Sequence, residues 1–339
     1  MISQAKILPP EIWLYTFTFL EGHDVVRSFS CLNAFFNSLL HSPHLQLHIR
    51  IRQNESNERL PDSTWSHIHL QNIYSISVGR RKANCLIQFL RWHAQYLVSL
   101  RSLSIYLRKS KLYINIQFLI FALEQIPSLK RIRIKYIAKS DQNIDNLKPL
   151  TTYIFSERST LQKCSFVLNM SDYNMITSQW SINRLLKYLN ISSISSIDLV
   201  SLLSFTPQLH SLQTMMDACK VISYKNVVLT HLEKVNLRLD RSYFTQLEAF
   251  KEIVPNLQSL RLEGDFNTKD DNFFNENMWH KLLNNIKYFY VNLTKFEFTD
   301  SEKINLKNRF PNCEGKSWFS WVENAQYLKV IISFKSTTE

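Results

Sequence analysis

The stretch LKRIRI at residues 129–134 runs apolar, two polar, apolar, polar, apolar, and its reading decides the architecture. Alternation through Ile132 and Ile134 is a strand period, with one side of the strand packed inward and the other facing solvent. The same six-residue pattern recurs as LRSLSI from Leu100, LQKCSF from Leu161, LKYLNI from Leu186, LEKVNL from Leu232, LQSLRL from Leu257 and IKYFYV from Ile286. LHSLQT from Leu209 is a weaker copy, and a degenerate IYSISV from Ile73 opens the series. From Leu100 onward the anchors stand 29, 32, 25, 23, 23, 25 and 29 residues apart. A recurring unit of this length is the mark of a solenoid, in which each repeat buries its apolar face against its neighbours.

Between the anchors lie stretches with apolar residues three and four apart. They are CLIQFLRWHAQYL before Leu100, FLIFALEQIP before Leu129, DLVSLLSFTP before Leu209 and FTQLEAFKEIVP before Leu257. This spacing predicts helices, and proline ends three of them just before the next strand. Strand, return helix, proline and strand together predict an α/β solenoid, a curved parallel sheet with helices on its convex side. The units resemble leucine-rich repeats. They depart from that pattern eight residues after the anchor, where many such repeats stack asparagines. Only Asn169 matches, and Asp217, Asp240 and Asp265 stand at equivalent places. About eight or nine degenerate repeats are expected over residues 60–311, with a cap over 312–339 that contains the strand-like YLKVIISF.

Upstream, residues 8–41 read LPPEIWLYTFTFLEGHDVVRSFSCLNAFFNSLLH. Pro10 suits the first turn of a helix, and Glu11 beside it favours the positive end of the helix dipole. Ile12, Thr16, Phe19 and Leu20 fall on one face. Gly22 is expected to end this helix and Asp24 to start the next by accepting backbone N–H bonds. Val25, Val26 and Phe29 continue an apolar face, Leu32, Phe35, Phe36, Leu39 and Leu40 make a third, and Pro43 stops it. Three such short helices cannot bury all these side chains against one another, so some are expected to cover a partner or the following domain.

This segment resembles the F-box. Leu8, Pro9, Glu11, Ile12, Phe17, Phe19, Leu20, Asp24, Cys31 and Phe35 occupy the places of that family's motif. Thr16 stands where an aliphatic residue is usual, and the common tryptophan of the third helix is missing. The resemblance covers about a tenth of the chain and implies a helical F-box at residues 5–45. It also implies docking on a Skp-type adaptor through Leu8, Pro9, Glu11, Ile12, Phe19, Leu20 and Asp24, and through that adaptor on a cullin scaffold. An F-box followed by leucine-rich repeats would make the chain a substrate receptor of a ubiquitin ligase, acting by proximity and needing no catalytic residue, metal or cofactor of its own. The competing reading of the segment is a helical cap shielding the first repeat.

Composition excludes several chemistries. The four glycines, Gly22, Gly79, Gly264 and Gly315, are too far apart for a P-loop, a dinucleotide fingerprint or a nucleophile elbow. Five scattered cysteines without a C-x-x-C pair argue against a disulfide framework or zinc ribbon and fit a reducing compartment. His41, His44 and His48, or His67 and His69, lack suitably spaced ligands to complete a metal site. With no apolar run of membrane-spanning length and no early signal-peptide core, the chain reads as cytoplasmic or nuclear.

The net charge of +12 is concentrated. Residues 50–139 hold sixteen Lys/Arg, among them Arg80, Arg81, Lys82 and Lys139, against four acids, Glu55, Glu58, Asp62 and Glu124. In the predicted repeats Lys130, Arg131, Arg133 and Lys135 face the concave solvent side, with Arg101 on the strand before and Lys163 on the one after. Such a cluster reads as a pocket for an acidic or phosphorylated protein target, as a solvated face, or as a scaffold for nucleic acid or another polyanion. No RRM, KH or zinc-finger signature accompanies it. Tyr106, Tyr188, Tyr288 and Tyr290 are further candidates for the concave side.

Overall fold

The computed structural model describes residues 8–51, 69–79, 83–108, 112–137, 147–168, 180–192, 196–217, 227–267, 270–295, 319–323 and 328–335. The chain forms two compact units, Met1–Asn169 and Met170–Glu339. Both are α/β, with parallel strands flanked by helices, a solenoid-like arrangement.

The first unit begins with three short helices, α1 (Pro10–Phe17), α2 (Gly22–Phe29) and α3 (Ala34–Leu40). Pro10 opens α1, where its missing N–H goes unneeded. Gly22 is the first residue of α2, not the end of α1, and it is buried. Asp24 does not cap α2 with its side chain; it lies in the first turn, where its charge suits the dipole. The side chain of Asn33 makes the cap of α3, accepting from Phe36 N at 3.0 Å. Trp13, Phe17, Phe29 and Phe36 pack as one aromatic cluster, with ring centroids 4.9–6.0 Å apart.

Five parallel strands follow in order, β1 (Leu47–Ile51), β2 (Ile73–Val78), β3 (Ser102–Arg108), β4 (Arg131–Ile137) and β5 (Lys163–Leu168). The helices between them are α4 (Ala83–His93), α5 (Leu112–Glu124) and α6 (Lys148–Ile154). From Leu100 onward each predicted strand starts two residues after its anchor, whereas β2 starts at Ile73 itself; Leu100, Leu129 and Leu161 are buried beneath the turn. The inward positions, Leu103, Ile105, Ile132, Ile134, Cys164 and Phe166, form the core against the helices. Burial pushes the Cys164 thiol up to about 12, so it serves as a small apolar filler. Strand β1 carries no anchor pattern and was not expected. Its free edge is taken up by the loop before α2, where Glu21 bridges to His48.

The second unit repeats the scheme with β6 (Tyr188–Ile191), β7 (Ser211–Asp217), β8 (Lys234–Ser242), β9 (Ser259–Phe266) and β10 (Tyr288–Lys295). Helices α7 (Ser196–Ser204), α8 (Phe244–Ile253) and α9 (Glu276–Leu283) return between strands. In the weak repeat at Leu209 a threonine, Thr214, takes the inward position and is buried. Two further strands, β11 (Phe319–Glu323) and β12 (Leu328–Lys335), close the sheet antiparallel in the order β10-β12-β11. The YLKVIISF segment accordingly supplies a strand.

Candidate functional site

Two surfaces of the first unit collect the residues singled out from sequence. The first is the outer face of α1. Trp13 and Phe17 turn into the aromatic cluster, which leaves the opposite stripe in solvent. Leu8 is 46% exposed, Ile12 48%, Tyr15 65%, Phe19 71% and Leu20 40%. Leu8, Ile12, Tyr15 and Phe19 follow one another at steps of four, three and four, which is helical spacing along one line. The rings of Tyr15 and Phe19 meet edge-on at 4.9 Å. Tyr15 was missed in the sequence, although the same period would have found it. Thr16, at the place of a usual aliphatic, turns its hydroxyl to Ile12 O at 2.8 Å. Its hydroxyl therefore offers no free donor beside the stripe.

Pro9 and Glu11 are exposed at the start of this helix. Asp24 stands apart from the stripe in a small charged group, with His23 Nε2 3.2 Å from Asp24 and 3.5 Å from Glu21. Glu21, His23 and Asp24 are the one set of three ligand-type side chains close together among the described residues. Arg50, 4.0 Å from Glu21, adds a positive charge beside them, so Glu21 is already answered by a cation. His41 instead bonds Asn37 O at 2.7 Å, and its ring lies 4.6 Å from that of His69.

The second surface is the solvent face of β1–β5. Strand register lines up His48, Ser75, Ser102, Arg131 and Lys163 in one row across the strands, and Arg50, Ser77, Ser104, Arg133 and Ser165 in the next. Tyr106, Lys135 and Val167 begin a third row, with Lys135 Nζ 5.7 Å from the centre of the Tyr106 ring. Arg131, Arg133 and Lys163 are exposed, while Ile132, Ile134 and Tyr136 alternate with them into the core.

Two expected members of the cluster are placed differently. Arg101 precedes β3, and its guanidinium donates to Ser128 O at 3.3 Å, at the turn edge of the sheet. Lys130 precedes β4 and is half-buried, outside the alternation that exposes Arg131 and Arg133. Arg80, Arg81, Lys82, Lys139, His67 and Asn169 lie outside the described residues. His48 and Arg50, which sequence reasoning left unassigned, join the face because β1 pairs with β2. His48 Nδ1 is 2.7 Å from Ser75 Oγ, and burial lowers its pKa.

Tyr188, Tyr288 and Tyr290 lie on the solvent face of the second unit's sheet. Arg261 there lies 5.0 Å from the Tyr290 ring and is bonded to Glu263, so its charge is locally answered. No family model matches this chain, and neither does any curated protein. No helix among the described residues is long and apolar enough to cross a membrane.

Proposed function

We propose that this chain is the substrate-recognition adaptor of a cullin–RING ubiquitin ligase, an F-box joined to leucine-rich repeats. The observation that carries the proposal is the bare apolar stripe Leu8, Ile12, Tyr15, Phe19 and Leu20 on a three-helix module whose opposite side is already packed. Isolated exposed apolar residues need no explanation, but a stripe of five along one short helix and the residues on either side of it does. A helical cap would account for the inward aromatic cluster and for the covered edge of β1. It gives no reason for the outward stripe. In the proposed complex a Skp-type adaptor covers the stripe and a cullin scaffold binds that adaptor. The repeats hold a protein target near the ubiquitin-carrying enzyme, and proximity alone raises the rate.

The test is co-purification of the full chain with a Skp-type adaptor, compared with a Leu8→Ala, Ile12→Ala, Leu20→Ala variant. An interface of standard size buries about 800 Å² per partner, and its energy concentrates in a few central apolar groups. The native chain should retain the adaptor and the variant should lose it with its circular dichroism unchanged. Failure of the folded native chain to bind would sink the proposal and leave the helices as a cap. A second reading, a scaffold for nucleic acid, has one observation in its favour: β1–β5 contain no Asp or Glu. That reading requires a salt-sensitive, sequence-blind affinity for RNA that Arg131→Ala with Arg133→Ala removes.

A further inference from the structure

We infer that the solvent face of β6–β10 binds a free, short, β-linked chain of pyranose rings that carries one carboxylate group. Strand register sets two rows of side chains across this face. The first reads Tyr188, Ser211, Lys234, Ser259 and Tyr288, and the second Asn190, Gln213, Asn236, Arg261 and Tyr290. Leu189, Leu212, Val235 and Leu260 alternate with them into the core, so both rows stand on the solvent side. Tyr188 is 46% exposed and Tyr288 55%, Gln213 is exposed, and Asn190 and Asn236 are half-buried.

The polar groups in the middle of these rows are uncommitted. The carboxamides of Asn190, Gln213 and Asn236 and the hydroxyls of Ser211 and Ser259 make no hydrogen bond among the described residues. Each carboxamide sets an acceptor beside a donor, and two neighbouring hydroxyls of a sugar, each both donor and acceptor, can meet it at both atoms. Toward β10 the groups are instead satisfied. Arg261 is bonded to Glu263 and lies 5.0 Å from the centre of the Tyr290 ring, and Asn292 Nδ2 donates to Tyr290 Oη at 3.2 Å. Strands β6–β10 hold five Lys/Arg and four Asp/Glu, so the face is close to neutral. Lys234 forms no ion pair among the described residues. It stands between Ser211 and Ser259 at the centre of the first row, where one carboxylate would meet an ammonium and two hydroxyls.

Spacing selects sugar rings over a peptide. Neighbouring carboxamides stand one strand spacing apart, about 4.8 Å. A pyranose ring linked through opposite corners advances its chain by about that length, so consecutive rings meet consecutive carboxamides. An extended peptide crossing the same strands returns a side chain to one face only every 6.6 Å or about that, and falls out of step after one strand. The two rows lie two residues apart along the strands, also about 6.6 Å, which lets one ring rest an edge on each. From Tyr188 to Tyr288 is four strand spacings, about 19 Å, the length of four rings. An exposed tyrosine at either end suits the apolar C–H face of a terminal ring. Between them the rows offer no apolar centre of the kind around which a protein partner packs.

The test is isothermal titration of the full chain with cellotetraose, with its analogue in which one inner glucose is replaced by glucuronate, and with a Gly/Ser peptide bearing one glutamate. The glucuronate chain should bind at least about fivefold more tightly than cellotetraose, the gain expected of one charge-assisted contact in solvent. Lys234→Gln should bring it down to the level of cellotetraose. Gln213→Ala with Asn236→Ala should abolish binding of both chains. None of these side chains is buried, so unchanged circular dichroism should accompany the variants. No binding of either chain at about 1 mM, equal affinity for the two, equally tight binding of the peptide, or undiminished binding by the folded carboxamide variant would each overturn the inference. The Leu8→Ala, Ile12→Ala, Leu20→Ala variant separates this site from the adaptor reading, on which it does not depend. That variant should keep the oligosaccharide while losing the adaptor, and a chain that binds adaptor but no oligosaccharide loses only the sugar site.

Discussion

Gly264 has φ +112°, and a Cβ built there would run into the carbonyl oxygen of Leu239 on the adjacent strand. It stands beside the irregularity between Leu239 and Ser242, where Arg241 also takes a positive φ and the two backbones come close. Gly22 is crowded in a different way. Its Cβ would lie 2.7 Å from Ile49 Cδ1 and 3.2 Å from Leu47 Cβ. The first of these is the end of a side chain that can rotate, and an added methyl on a helix brings a small gain of its own. A strand backbone cannot move aside without giving up its ladder. Gly264→Ala should therefore cost about 3 kcal/mol, combining backbone strain with overpacking, and Gly22→Ala clearly less. Urea denaturation checks this as a lower midpoint at unchanged slope. Equal losses at the two sites would show that the β8–β9 contact yields as easily as a side chain.

At the scale of the element, α1 serves two surfaces, and they separate by mutation. Phe36 is buried and meets Trp13 edge-on at 5.0 Å, while Phe19 on the far side is 71% exposed. Truncating a buried phenylalanine costs about 3–5 kcal/mol, whereas removing one this exposed changes stability by about 0.5 kcal/mol or less. Phe36→Ala should loosen the module, seen as lost hydrogen-exchange protection in α1–α3, and weaken adaptor binding as a consequence. Phe19→Ala should weaken binding with protection intact. If Phe19→Ala also strips protection, the outward stripe is part of the fold and not a docking surface. The repeats were legible because period two and the anchor leucines act locally: from Leu100 onward every repeat strand begins two residues after its anchor. Strand β1 was not legible, since LHIRI carries no anchor and is fixed by pairing with β2 and by the loop at Glu21. The start of α2 was misjudged because Gly22 is needed for close packing on β1 and does not terminate a helix. Trp13 gives another reason. Trp13 of α1 packs on Phe29 of α2 and Phe36 of α3, a contact across elements that no local pattern reveals. The basic face was half legible for the same cause. Alternation exposed Arg131 and Arg133, but only long-range register brings His48 and Arg50 across the serines to face them.

Over the whole molecule, charge on the strands is divided unevenly, and the division has a consequence for stability. In the first unit Arg131 lies opposite Lys163 with no acid on any of its five strands. In the second, Arg238 lies opposite Glu263, and Arg261 is bonded to Glu263 as well. Like charges directly across a sheet cost up to about 1 kcal/mol per pair, and unlike charges contribute a similar amount in the other direction. Raising ionic strength from about 0.1 M to 1 M shortens the screening length from about 10 Å to about 3 Å, which weakens both effects. Salt should therefore steady one sheet and slightly loosen the other. Hydrogen exchange followed segment by segment in the intact chain should slow in β3–β5 by about fivefold, the equivalent of 1 kcal/mol in local opening, and stay level or quicken in β7–β9. The second unit acts as an internal control against any general effect of salt on burial. Uniform slowing of both units would mean that the like charges across β4 and β5 are already compensated and that salt acts on burial alone.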